Sequence, residues 1–163
     1  MPYTRKKLRG YAAIALDNPK SNINVGSVLR AAGNYGASMV AASGGRWTSE
    51  KTDTMKAYRH MPFLRPEDVF DVIPFDCVPV AVDIVECAVP LPLYKHPERA
   101  FYIFGAEDAT LGQRILSRCR DVVYVPTNGS MNLAATVNVV LYDRMAKQGE
   151  REWNIKDQRA FAC

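Results

Sequence analysis

The 163-residue sequence is 48% hydrophobic and 23% charged, with a formal net charge of +4, the balance of an ordinary soluble globular chain of one domain. No stretch approaches the roughly 20 apolar residues that span a bilayer, and the apolar run after the first basic residues is too short for a signal peptide and lacks a cleavage pattern. Mild positive charge does not by itself imply nucleic acid, but Arg5, Lys6, Lys7 and Arg9 stand together without an acid among them, either as a solvated terminus or as a phosphate contact.

Cys77, Cys87, Cys119 and Cys163 form no C-x-x-C pair and match no histidine spacing. They are expected to be reduced thiols of a cytoplasmic protein with no metal site.

In chain order, residues 11–16 (YAAIAL) are the first predicted strand, followed by a polar turn cluster at 17–22 (DNPKSN). A helix is predicted over 24–34. Val25, Val28, Leu29 and Ala32 share one face at i, i+3, i+4 and i+7, while Arg30 lies opposite. Asn24 is the expected N-cap and Gly36 the C-cap. Residues 38–43 (SMVAAS) are the second strand. Residues 46–62 form a polar loop with a short helix, carrying Arg46, Lys51, Lys56, Arg59 and His60.

A short helix at 66–72 places Pro66 at N1 with acids in its first turn. The third strand is predicted over 78–85, and residues 87–98, with Pro90, Pro92 and Pro97, are a connecting loop. The fourth strand is 100–104, ending at Gly105, and a helix is expected over 110–119. Residues 122–125 then form a buried β-branched strand closed by Pro126. After a polar turn at 127–129, Ser130 or Asn132 caps a long helix whose apolar face holds Leu133, Val137, Val140, Leu141 and Met145.

This alternation predicts an α/β fold: a mainly parallel sheet of five or six strands with helices on both faces. One domain over residues 1–163 is expected, with a basic arm at 1–10 and a charged tail at 150–163. Ligands of such sheets bind outside the carboxyl ends of the strands. The loops at 17–26, 105–112 and 126–132 are polar or glycine-rich, yet they contain no dinucleotide fingerprint, P-loop or nucleophile elbow. His60 and His96 are the only histidines, which disfavours histidine-centred acid-base chemistry and metal ligation.

Read together, these loops resemble the SpoU (TrmH-like) branch of the SPOUT RNA methyltransferases. The first motif is Asn24-Val25-Gly26 followed by Arg30. The second is Phe104-Gly105-Ala106-Glu107 with Leu111-Gly112. The third is Val125-Pro126 through Ser130-Met131-Asn132-Leu133. The turn between Pro126 and Ser130 is shorter than is usual in that family, and Leu111-Gly112 reverses its more common order.

The resemblance implies transfer of a methyl group from S-adenosyl-L-methionine to a ribose 2′-hydroxyl of tRNA or rRNA. It also implies a homodimer, with motifs from both subunits near the active site, and a trefoil knot near the carboxyl end. Arg30 is implied beside the target ribose, orienting it and stabilising charge, where the bland alternative is a surface ion pair. Glu107 is either an acid at a helix start or part of the site's hydrogen-bond scaffold. Ser130 and Asn132 either cap the last helix or also bond substrate and Arg30. The implied cofactor cradle is Val82, Gly105, Val125, Met131 and Leu133. A competing reading is a catalytically inactive RNA-binding knot protein acting in RNA assembly, which the intact Asn24, Arg30, Ser130 and Asn132 oppose.

Overall fold

Alternating small and branched apolar residues make Tyr11–Leu16 a strand with two buried faces, β1, and the helical spacing after it makes Asn22–Tyr35 helix α1. The computed structural model describes residues 10–48 and 56–149. The basic arm at 1–9, residues 49–55 with Lys51, and the tail at 150–163 with Cys163 lie outside the described residues.

The remaining strands are β2 (Met39–Ala42), β3 (Phe63–Leu64), β4 (Val78–Val82), β5 (Val89–Pro90), β6 (Arg99–Phe104) and β7 (Asp121–Tyr124). They form one seven-stranded sheet in the order β3-β2-β1-β6-β4-β7-β5, and every pairing is parallel. The expected five or six strands become seven because β3 and β5 are only two residues long. Two residues carry no readable alternation, and β5 lies in a proline-rich stretch that reads as loop; pairing with β2 and β7 makes these segments strands.

The period-two alternation sorts the core into two layers. Ile14, Leu16, Val80, Tyr102 and Phe104 pack against α1 and the long helix α3, Leu133–Gly149, on one face. Ala13, Ala15, Ala81, Phe101 and Ile103 pack on the other face with Val69 and Ile115. That second face is covered thinly, by the 3₁₀ turn Val69–Val72 and the short helix α2, Gln113–Leu116.

Both coverings are shorter than the sequence predicts. The helix expected over 110–119 shrinks to α2: the Leu111 amide, before the Gly112 cap, donates to the Asp83 carboxylate 2.5 Å away, and beyond Leu116 the Arg118 and Cys119 amides turn to carbonyls only three residues back. The helix expected over 66–72 is a 3₁₀ turn capped by Asp68, whose side chain accepts from the Phe70 amide at 2.9 Å, so Pro66 lies outside it. The third strand stops at Val82 rather than 85, where Asp83 turns its carboxylate back onto the Ile84 amide. Gly36 closes α1 in the left-handed conformation (φ 68°), as expected of a C-cap.

Helix α3 is fastened to residues 91–98 by buried polar groups. Arg144, 5% exposed, donates to the Pro97 carbonyl (2.6 Å), the Glu98 carbonyl (2.7 Å) and the Tyr102 hydroxyl (3.1 Å). Lys147 donates to the Leu91 (2.6 Å) and Tyr94 (3.0 Å) carbonyls and pairs with Asp143. His96 lies between Tyr102 (2.6 Å) and Asp143 (2.7 Å). A carboxylate only accepts, so Nε2 carries the proton toward Asp143, and Nδ1 of the neutral ring accepts from the Tyr102 hydroxyl.

Burial lowers the His96 pKa, and the bond to Asp143 only partly opposes it, so the net shift is downward from 6.5. The unfolded chain therefore takes up a proton below about pH 6.5 that folded His96 resists, and stability falls with pH until the folded ring is protonated too. Urea midpoints of the wild type between pH 7.5 and 5 should fall more steeply than those of His96→Gln. Equal slopes would assign the pH dependence to other groups.

Candidate active site

Because all strands run parallel, Asp17, Asp83, Gly105 and Val125 follow the carboxyl ends of β1, β4, β6 and β7 on one edge of the sheet. Each loop that the sequence singled out starts on that edge, and a chain of side-chain hydrogen bonds joins them. Glu107 Oε2 accepts from the Lys20 amide (2.8 Å), while Oε1 accepts from the Ser21 amide (3.2 Å) and the Asn24 side-chain amide (2.5 Å). Asn24 Oδ1 in turn accepts from Asn132 Nδ2 at 3.0 Å. Asn132 Oδ1 accepts from the Ala134 (2.9 Å) and Ala135 (3.2 Å) amides, which makes it the N-cap of α3 in preference to Ser130.

Asn24 is not the cap of its helix. Ser21 is, accepting from the Asn24 amide at 3.4 Å, and α1 begins two residues earlier than predicted. Asn24 is thereby left inside the first turn, 8% exposed, with its side chain free to bridge Glu107 and Asn132. Both sequence readings of Glu107 meet here, though not at its own helix: it is a scaffold acid placed at the amino end of α1. Burial raises its pKa, but the bonds from Asn24, Lys20 and Ser21 outweigh that and hold the carboxyl below its ordinary value.

Beside this chain a cleft opens between the ends of β4, β6 and β7. Its lining includes Val82, Gly105, Val125, Met131 and Leu133, together with Ser130 and Glu107. A Cβ at Gly105 would stand 3.2 Å from the Ala109 carbonyl, so a side chain there would crowd the loop that forms one wall. Sequence reasoning missed Asp83, whose carboxylate ties the Leu111 amide to the β4 end and faces the same cleft. Arg46, named in the sequence only as part of a basic loop, forks onto Asp108 (3.0–3.2 Å) and the Asn18 carbonyl behind the 105–110 loop. The sequence carries no spacing signal for either contact; their partners are 28 and 62 positions away.

Arg30 is different. It lies exposed on α1, outside the cleft lining, and bonds none of Asn24, Glu107, Ser130 or Asn132. Ser130 lines the cleft but makes no hydrogen bond to Asn24 or Asn132.

A family model described as the SpoU rRNA Methylase family matches residues 11–142, which hold every loop of this site. The chain belongs to that family. Solved structures agree on the fold. The SpoU methyltransferase AviRb from Streptomyces viridochromogenes, in complex with AdoMet, superposes with a TM-score of 0.78 at 19% identity, over 90% of this chain and 60% of that one. The TrmH/SpoU tRNA-modifying enzyme of A. aeolicus gives 0.76 at 15% identity, over 89% and 79%. A structure solved for insight into 2-OH methylation of C/U34 on tRNA gives 0.74 at 20% identity, over 85% and 97%. The chain spans 57–61% of the length of the first solved relatives. No curated protein sequence matches significantly.

As SpoU-family loops, the three segments should lose their mutual support when Asn132 is truncated. Asn132→Ala removes two capped amides and orphans Asn24 Oδ1, and should cost about 1–2 kcal/mol in urea unfolding. Asn132→Asp, which keeps the cap but not the donor to Asn24, should recover most of the cap contribution and none of the bridge.

Proposed function

We propose that the chain is an S-adenosylmethionine-dependent RNA methyltransferase acting on a ribose 2′-hydroxyl of tRNA or rRNA. The carrying observation is the Glu107–Asn24–Asn132 hydrogen-bond chain, which draws the three family loops together beside a cleft at the carboxyl ends of β4, β6 and β7.

The cleft suits the cofactor chemically. Val82, Phe104 and Leu133 offer apolar walls, the 105–109 and 125–131 loops offer backbone groups, and Gly105 lets the backbone approach closely. When bound, S-adenosylmethionine supplies an electrophilic methyl group. The protein's part is to hold the ribose in line and to stabilise its oxygen as the hydroxyl proton departs. Arg30, normally charged, serves as orienter and electrostatic stabiliser rather than as a base. Ser130, which is exposed and lines the cleft, bonds substrate in this reading, while Asn24, Glu107 and Asn132 keep the walls in register.

Two further features belong to this reading. A homodimer is supported by Val139 and Tyr142, 37% and 57% exposed on α3, and by the separation of Arg30 from the cleft of its own chain. A second copy then completes the site with its Arg30. A trefoil knot belongs to this reading through the family alone.

Calorimetry should detect S-adenosylmethionine binding; absence of binding would remove the cofactor reading. Arg30→Ala should lower methyl transfer about 100- to 1,000-fold and leave that binding intact. Nucleoside mass spectrometry of RNA from cells with and without the gene identifies the product. An RNA-bound protein with no transferred methyl would favour the inactive assembly role instead.

A further inference from the structure

Most described Lys and Arg side chains are already engaged. Arg46 and Lys20 hold Asp108, Arg114 and Arg118 hold Asp68, Arg120 holds Asp121, and Arg144 and Lys147 hold carbonyls. Arg65 stacks on Trp47, 3.9 Å from its ring centre, and Arg99 donates to the Phe75 carbonyl. Among the described residues, Arg30, Lys56, Arg59 and Lys95 hold no carboxylate, carbonyl or ring, and all four are exposed.

Three of these four lie on or beside two elements that pack together. Gly33, one turn beyond Arg30 on the exposed side of α1, packs on Ala57: a Cβ at Gly33 would stand 3.4 Å from the Ala57 Cβ. Ala57 opens the 3₁₀ turn Ala57–Arg59, with Lys56 just before it and Arg59 at its end. Neither α1 nor residues 56–66 carry an acid. Tyr58, 36% exposed, interleaves with the cations.

We propose that the outer face of α1 and the 56–59 turn form a docking strip for single-stranded RNA, with Arg30, Lys56 and Arg59 on its phosphates and Tyr58 stacked on a base. The inference rests on the RNA methyltransferase reading and extends it. Arg30 is the end of the strip nearest the chemistry, and the 56–59 turn holds the flanking nucleotides. Unengaged cations interleaved with an exposed aromatic ring suit an unpaired strand, whose backbone carries the charge and whose bases are free to stack.

The test is fluorescence anisotropy of the full chain with labelled poly(U) and with unfractionated tRNA across a salt series. Calorimetry with S-adenosylmethionine reports the fold of each variant. Lys56 sits in the left-handed region (φ 51°), which Asn adopts readily, so Lys56→Asn removes charge without added strain. The double variant Lys56→Asn, Arg59→Gln should bind RNA about fivefold more weakly for each lost contact at 0.1 M salt, with the salt slope reduced by about 1.4, or 0.7 per phosphate. Tyr58→Ala should weaken binding with the slope unchanged, and Lys95→Gln should change neither.

A double variant that binds cofactor and keeps the wild-type RNA affinity and slope overturns the strip alone. Should it fail to bind cofactor, Arg59→Gln by itself must show half the slope change, and an unchanged slope there overturns the strip as well. Competition by polyglutamate equal to that by poly(U) overturns it in favour of an acidic protein partner. A wild type that binds cofactor but no RNA removes this proposal and the RNA reading together.

Discussion

The amide of Asn24 holds the functional edge of the molecule together. It donates to Glu107 and accepts from Asn132, so one side chain links segments 83 and 108 positions away. With both ends of this amide used and only 8% of the residue exposed, neither partner can be lost without leaving a polar group partly buried and unmatched. The loops after β1, β6 and β7 are long and polar, and parallel topology merely brings them to one edge. The Asn24 bridge gives them fixed relative positions, and with them the walls of the cleft.

At the other end of α3 a second polar assembly acts on the same helix. Arg144 and Lys147 satisfy carbonyls of residues 91–98, a proline-rich stretch with few strand partners of its own. Tyr102, pushed up to about 12 by burial, stays protonated and donates to His96, whose other nitrogen meets Asp143. Helix α3 is therefore pinned by Asn132 at its start and by this network near its end, and its apolar face lies between on the sheet. A rigid α3 in turn holds Met131 and Leu133 on the cleft.

Much of the fold was legible because its longer elements obey local rules. Strands such as Tyr11–Leu16 and Arg99–Phe104 are continuous apolar runs, α1 and α3 have helical spacing, and Gly36 stops α1 in the conformation only glycine adopts cheaply. The short elements were not legible. A two-residue strand has no periodicity, and only Gln113–Leu116 of the helix expected over 110–119 forms. The Asn24 side chain suits a cap equally well, so the sequence alone points to it. The choice went to Ser21 because Glu107, far along the chain, claims the Asn24 amide.

By itself the sequence determined the strand-helix alternation and the three loops with their Asn, Glu and Ser-x-Asn residues. Those depend on neighbours a few positions apart, and they are written in local order. Only the tertiary structure decided which loop residues bond one another, that Asp83 and Arg46 brace the loop after Gly105, and that Arg30 lies outside its own chain's cleft on a helix packed against the turn at 57–59. Those outcomes depend on distances set by sheet order and helix packing, for which no spacing along the chain supplies a signal.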